Sequence, residues 1–124
     1  MRNVAKTLKQ FLNGFEIPAY TTLTVPDDVE LPYITYPLVQ PEWDQKTSFY
    51  IQGWYRTTTY DDMLAKADRI MGEIGTGLKL RMNGGYMVLY PETPFFQLVP
   101  SEEDNDVRSF YLNLSINAYQ MPGV

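Results

Sequence analysis

Residues 107–119 read VRSFYLNLSINAY, and their alternation decides the fold. Arg108, Phe110, Leu112, Leu114, Ile116 and Ala118 fall on one side of the segment, and Ser109, Tyr111, Asn113, Ser115 and Asn117 on the other. A period of two is the signature of a half-buried strand. Its apolar side points at a core, while its polar side also carries Tyr111. This is the longest strand that the sequence predicts, and its apolar side needs a cover.

Two amphipathic helices can supply that cover. In Tyr60 to Ile74, residues Tyr60, Met63, Leu64, Ala67, Ile70, Met71 and Ile74 project onto one stripe, with Asp61, Asp62, Lys66, Asp68, Arg69 and Glu73 on the other side. Thr59 suits the N-cap, with Asp62 placed to complete a capping box, and Gly75 and Gly77 end the helix. In Asn3 to Gly14, residues Val4, Leu8, Phe11, Leu12 and Phe15 share a face opposite Arg2, Lys6, Lys9 and Asn13, and Gly14 is the natural stop. The basic back of this first helix either lies in solvent or meets an acidic partner or neighbouring subunit.

Between the helices, Tyr33 to Gln40 is rich in β-branched and aromatic residues and reads as a strand. Pro37 inside it cannot donate to a ladder, which predicts an edge position or a bulge. A short strand is expected at Thr21 to Val25, and a full one at Thr47 to Arg56. After the second helix, Leu78 to Asn83 and Tyr86 to Tyr90 flank Asn83-Gly84-Gly85, a hairpin signal because primed turns need positive φ. Phe95 to Val99 makes a further short strand after Pro94. The expected fold is one α+β domain over residues 1–124: an antiparallel or mixed β-sheet with two α-helices packed against it, one hairpin and a long C-terminal strand.

The chain has 124 residues, enough for one modest core, and 44% of them are hydrophobic. It contains no cysteine and no histidine, which excludes disulfides, thiol nucleophiles, Cys/His zinc sites and imidazole bases. The net charge of −5 does not invite a polyanion, and the few basic residues are scattered, so sequence-specific nucleic-acid binding is not expected. No stretch approaches the roughly 20 apolar residues of a membrane span, and no signal peptide is visible, so a cytoplasmic site of synthesis is expected without membrane contact. Carboxylates gather at Asp27, Asp28 and Glu30, at Asp61 and Asp62, and at Glu102, Glu103, Asp104 and Asp106. These lie in turns and at a helix start, where solvation leaves nothing to raise a carboxyl pKa, so no enzymatic role and no cofactor are expected. The run from Glu102 to Asp106 lacks the glycine and the distal glutamate of a calcium loop, and no metal is expected there.

Aromatic residues make up 15% of the chain, ten of them tyrosine. Phe11, Phe15, Phe49 and Phe110 sit on apolar faces, whereas Tyr50, Trp54, Tyr55 and Tyr111 fall on strand faces with polar neighbours. Either a helix covers these four or they form a protein–protein interface, where rings with a polar tip are favoured.

The order of these segments resembles the tail terminator (tail completion) proteins of long-tailed bacteriophages, the lambda-type terminator and its relatives. The resemblance spans most of the chain. It rests on the short amphipathic first helix, the phrase Leu31-Pro32-Tyr33-Ile34-Thr35-Tyr36, an aromatic second strand and a helix beginning Thr59-Tyr60-Asp61-Asp62. A Gly-Gly hairpin, Pro94-Phe95-Phe96, an acidic turn and a last strand ending near Tyr119 follow. The resemblance implies a virion protein, assembled in the host cytoplasm. Its copies would form a ring, usually hexameric, that caps the tail tube, stops tube polymerisation and joins the tail to the head. Its partners would be other copies of itself, the tail tube protein and a head-completion or neck protein, with DNA passing through the channel. In that setting Glu102, Glu103, Asp104 and Asp106 are candidates for a lumenal or tube-facing loop that repels phosphate, and Tyr50, Trp54, Tyr55 and Tyr111 for the subunit interface. Another neck or minor tail component is the alternative, followed by a small ligand-binding α+β domain.

Overall fold

The computed structural model describes residues 2–39, 41, 43, 45–57, 59–99 and 106–121. In chain order the elements are α1 (Arg2–Leu12), a single 3₁₀ turn (Asn13–Phe15), β1 (Ala19–Thr21), β2 (Tyr33–Tyr36), β3 (Thr47–Arg56), α2 (Asp61–Ile74), β4 (Leu78–Met82), β5 (Gly85–Val99) and β6 (Val107–Gln120). The strands form one sheet in the order β1-β2-β3-β6-β5-β4. All neighbours are antiparallel except β1 and β2, which run parallel, so the α+β domain has a mixed sheet.

The centre of the sheet is the β3–β6 pair, in register from Thr47 opposite Ile116 to Arg56 opposite Val107. Side chains alternate across a strand, so this register sends Phe49, Ile51, Gly53 and Tyr55 to the same face as Phe110, Leu112, Leu114 and Ile116. That inner face carries both helices. α1 contributes Val4, Leu8 and Leu12 to the core, α2 contributes Met63, Ala67, Ile70 and Ile74, and all belong to one continuous cluster. α1 touches β4 and β1, the two edge strands, which brings the edges toward each other and curls the sheet. Asn3 and Asn13 fasten it there: the Asn3 amide donates to the Asn83 carbonyl (2.7 Å), and Asn13 Oδ1 accepts from the Ala19 amide (3.0 Å).

Several elements depart from the sequence expectation for identifiable reasons. The first helix does not stop at Gly14. It tightens into the 3₁₀ turn and ends where Glu16 takes the left-handed conformation at φ 72°. The first strand lies at Ala19–Thr21, earlier than the expected Thr21 to Val25. β2 ends at Tyr36, one residue before Pro37, and is flanked by β1 and β3, so it is not an edge strand. The proline limits the strand's length without placing it at the border. Tyr60, not Thr59, caps α2, through its backbone carbonyl accepting from Leu64 (2.9 Å), and no side chain completes a capping box.

The largest departure is β5. Two expected strands are one, because Pro91 and Pro94 fall where the ladder to β6 is already irregular. Pro91 pairs with Leu114 and Phe96 with Leu112, so five steps along β5 match two along β6. The odd excess switches the helix-facing parity from Met87 and Leu89, both buried, to Phe96, which packs against the core, and Leu98, which is 43% exposed. β4 pairs only with Gly85 to Leu89, so the second half of β5 has β6 as its neighbour on one side and no described strand on the other.

Gly53 sits under the Phe110 ring, and a Cβ there would penetrate that ring. Phe110 is itself held by Phe96, stacked at 5.4 Å, and by Tyr55 at 6.1 Å, so it cannot swing aside. Gly53→Ala is expected to cost about 1–3 kcal/mol in urea unfolding, the range for overpacking a core. Adding Phe110→Leu should recover part of that loss, with a coupling of about 1 kcal/mol in a double-mutant cycle. Simple additivity of the two changes would refute the contact.

Candidate assembly surface

Opposite the helices, the outer face of the sheet presents rings that no helix roofs. The register that buries the odd residues of β3 turns Tyr50, Gln52 and Trp54 outward, beside Ser109, Tyr111 and Asn113 of β6. Tyr50 and Tyr111 are diagonal neighbours, with ring centres 4.6 Å apart. Toward β1, Trp54 stacks on Tyr33 at 6.2 Å, and Tyr33 meets Tyr20 edge-on at the same distance. Two groups of rings, Tyr20–Tyr33–Trp54 and Tyr50–Tyr111, therefore share this face across four strands, with Gln52 and Ser109 between them. Aromatic pairs of this kind stabilise beyond their area burial by about 0.5–1.5 kcal/mol each, which lets the face hold its shape without a cover.

Polar bonds fix the rings from below. The Trp54 indole donates to the Thr35 hydroxyl (3.0 Å), and the Gln52 amide donates to the Ser109 hydroxyl (3.0 Å). Both hydroxyl residues are buried although they lie on the outer side, because the neighbouring rings and amides shield them. The Asn113 amide donates to the Pro94 carbonyl (2.6 Å) and to Gln97 (3.0 Å), tying the irregular part of β5 to the same surface. Burial pushes the Tyr33 hydroxyl above its ordinary pKa, so this ring stays a neutral donor. Tyr50 is the most open of the set, 50% exposed, and it borders a groove of about 450 Å³ lined by Pro37, Leu38, Val39 and Phe49. A surface of rigid rings with polar tips beside an apolar groove is suited to binding a protein.

Of the four aromatics singled out in the sequence, the structure brings three together and separates the fourth. Tyr50, Trp54 and Tyr111 share the outer face. Tyr55 has the other parity: it is 6% exposed and packs in the core against Phe110. Its hydroxyl is pushed up to about 12, first by burial and then by the nearby Asp62 carboxylate. Tyr20 and Tyr33 belong to the outer face but were not predicted. Their signal was the parity of Tyr33 in the LPYITY phrase, which becomes readable only once Tyr33 is known to face Trp54.

Of the acidic run, Glu102, Glu103 and Asp104 lie outside the described residues. Asp106 is an exposed turn residue at the start of β6, and its carbonyl accepts from the Thr57 amide (2.7 Å). This bond closes the end of the β3–β6 ladder. Among the described residues no three acidic side chains gather closely enough to hold a metal ion, and no helix is long and apolar enough to cross a membrane.

In comparisons with known proteins, no family model and no curated protein sequence matches this chain.

Tyr55 makes the burial testable by pH. Its folded pKa is raised from 10 to about 12, so its contribution is complete below pH 10 and disappears as pH rises through 12. The unfolding free energy should fall over that window in the native chain and fall less steeply in Tyr55→Phe. Identical slopes would place the Tyr55 hydroxyl in solvent.

Proposed function

We propose that this chain is a non-enzymatic assembly subunit of a long-tailed bacteriophage, a tail terminator whose copies form a ring on the end of the tail tube. The ring stops tube polymerisation and offers the head a surface to join. The ordered segments that resemble that family supply the station in the virion. The observation that carries the physical side of the reading is the pair of ring groups, Tyr20–Tyr33–Trp54 and Tyr50–Tyr111, on the sheet face that neither described helix covers. Monomeric proteins rarely leave a large apolar patch without a use for it.

In this reading Tyr50, Trp54 and Tyr111 meet a neighbouring subunit or the tube, while Tyr55 serves the core beneath them. The run Glu102, Glu103, Asp104 and Asp106 faces the channel, where carboxylates repel DNA phosphates and keep the passage free of sticking. A different station in the neck or tail would use the same surface against another ring, and gene order separates the two. A terminator gene lies between those for head completion and the major tail tube.

Three measurements test the reading. Virions lacking this protein should carry tubes of uncontrolled length that fail to join heads, and tails of normal length joined to capsids would overturn it. Tyr50→Arg with Tyr111→Arg should leave the fold intact, because both side chains lie on the outer face away from the core, yet reduce tail joining at least tenfold, equivalent to about 1.4 kcal/mol of lost contact. Neutralising all four carboxylates of the run should slow DNA passage, and unchanged tail length, head joining and ejection would remove the run from the mechanism.

A further inference from the structure

The apolar stripe of α2 is wider than the sheet can cover. Met63, Ala67, Ile70 and Ile74 are buried, but Leu64 and Met71 are each 44% exposed. The direction of this surplus is set by α2's contacts. Lys66 donates to the Phe15 carbonyl (2.6 Å) and Arg69 pairs with Glu16, so their side of the helix faces the end of α1. At 100° per residue, Leu64 and Met71 lie on the opposite flank, with Asp61 and Asp68 next to them on the outward side. All four are exposed, and among the described residues neither aspartate has a partner.

The unpaired cations collect elsewhere. Lys46 pairs with Glu92, Arg108 donates to the Thr57 carbonyl and lies over Tyr60, and Lys79 lies over Tyr86. Arg56, Lys66 and Arg69 are also engaged. Among the described side chains this leaves Lys6, Lys9 and Arg81, all exposed, on the outward side of α1 and the adjoining β4. Lys6 and Arg81 line one cleft of about 360 Å³ with Asn3 and Gln10. The chain as a whole is at −5, so most encounters between copies are repulsive. The orientation that sets this cationic cleft against α2 of another copy is attractive, and it also covers Leu64 and Met71.

We propose that the α2 flank of one copy binds the α1/β4 cleft of a second copy of this chain. The two patches are different surfaces, so each copy keeps one of each kind available for a further neighbour. As the lateral contact of a ring the inference rests on the function proposed above. The pairing itself is read in solution without virus, so its failure and the failure of tail termination are separate results.

The test is sedimentation velocity on the full chain and two charge-reversed forms, Asp61→Lys with Asp68→Lys, and Lys6→Glu with Lys9→Glu and Arg81→Glu. At about 0.1 mM protein the native chain should associate, at least tenfold more weakly when ionic strength rises from about 0.05 to 0.5 M. Each reversed form alone should sediment as a monomer, and an equimolar mixture of the two should associate again, because each then meets its opposite. A native chain that stays monomeric, association indifferent to salt, or a mixture that fails to recover would overturn the proposal. The salt series needs no substitution, so it decides the matter even if a reversed form does not fold.

Discussion

The in-register pairing of β3 with β6 is the constraint on which the rest of the molecule depends. It is the longest uninterrupted ladder, and it assigns every side chain of two central strands to the core or to the outside. A slip of β6 by one residue would bury Tyr111 and Asn113 and expose Leu112 and Leu114, a change no local adjustment could offset. Gly53 anchors the register, because only that position leaves room for the Phe110 ring to lie across the neighbouring strand. The core below and the Tyr50–Tyr111 pair above are two consequences of one ladder.

The two faces then meet their needs differently. Inside, aliphatic side chains of α1 and α2 close over the sheet, and burial from water is the dominant stabilisation. Outside, no helix is available, and the rings lie on one another and on shielded hydroxyls instead. Such a face is stable alone yet retains apolar area for another surface. The same division recurs on α2, where the sheet covers one part of a wide apolar stripe and leaves the other beside exposed aspartates. Contact between proteins needs this combination, an apolar centre with charges at its margin.

The curl of the sheet connects these features. α1 reaches both edge strands, so the borders of the sheet are drawn toward one helix while the middle remains broad. β5 bends into this shape through the irregular stretch between Pro91 and Phe96, where residues without a partner strand tolerate proline. Beyond Leu89 no described strand pairs with its outer edge.

The sequence by itself determined the elements and their faces wherever a side-chain period ran unbroken. The bounds of β3, the apolar core side of β6 from Phe110 to Ala118, the helical span of α2 and the α+β class were all legible, as was the want of thiol and imidazole chemistry, whereas the burial of Ser109 and Ser115 on the polar side was not. What it could not determine was who lies beside whom. The parallel β1–β2 pair, the interior place of β2 and the joining of two segments into β5 depend on contacts between residues far apart in the chain, and periodicity carries no information about partners. The site divides in the same way. That Tyr50, Trp54 and Tyr111 share a surface with Tyr20 and Tyr33, while Tyr55 turns inward and Leu64 and Met71 stay outside, was decided only by the tertiary structure. A stripe or an alternation says which residues point together, but the area of the surface packed against them decides how many are buried.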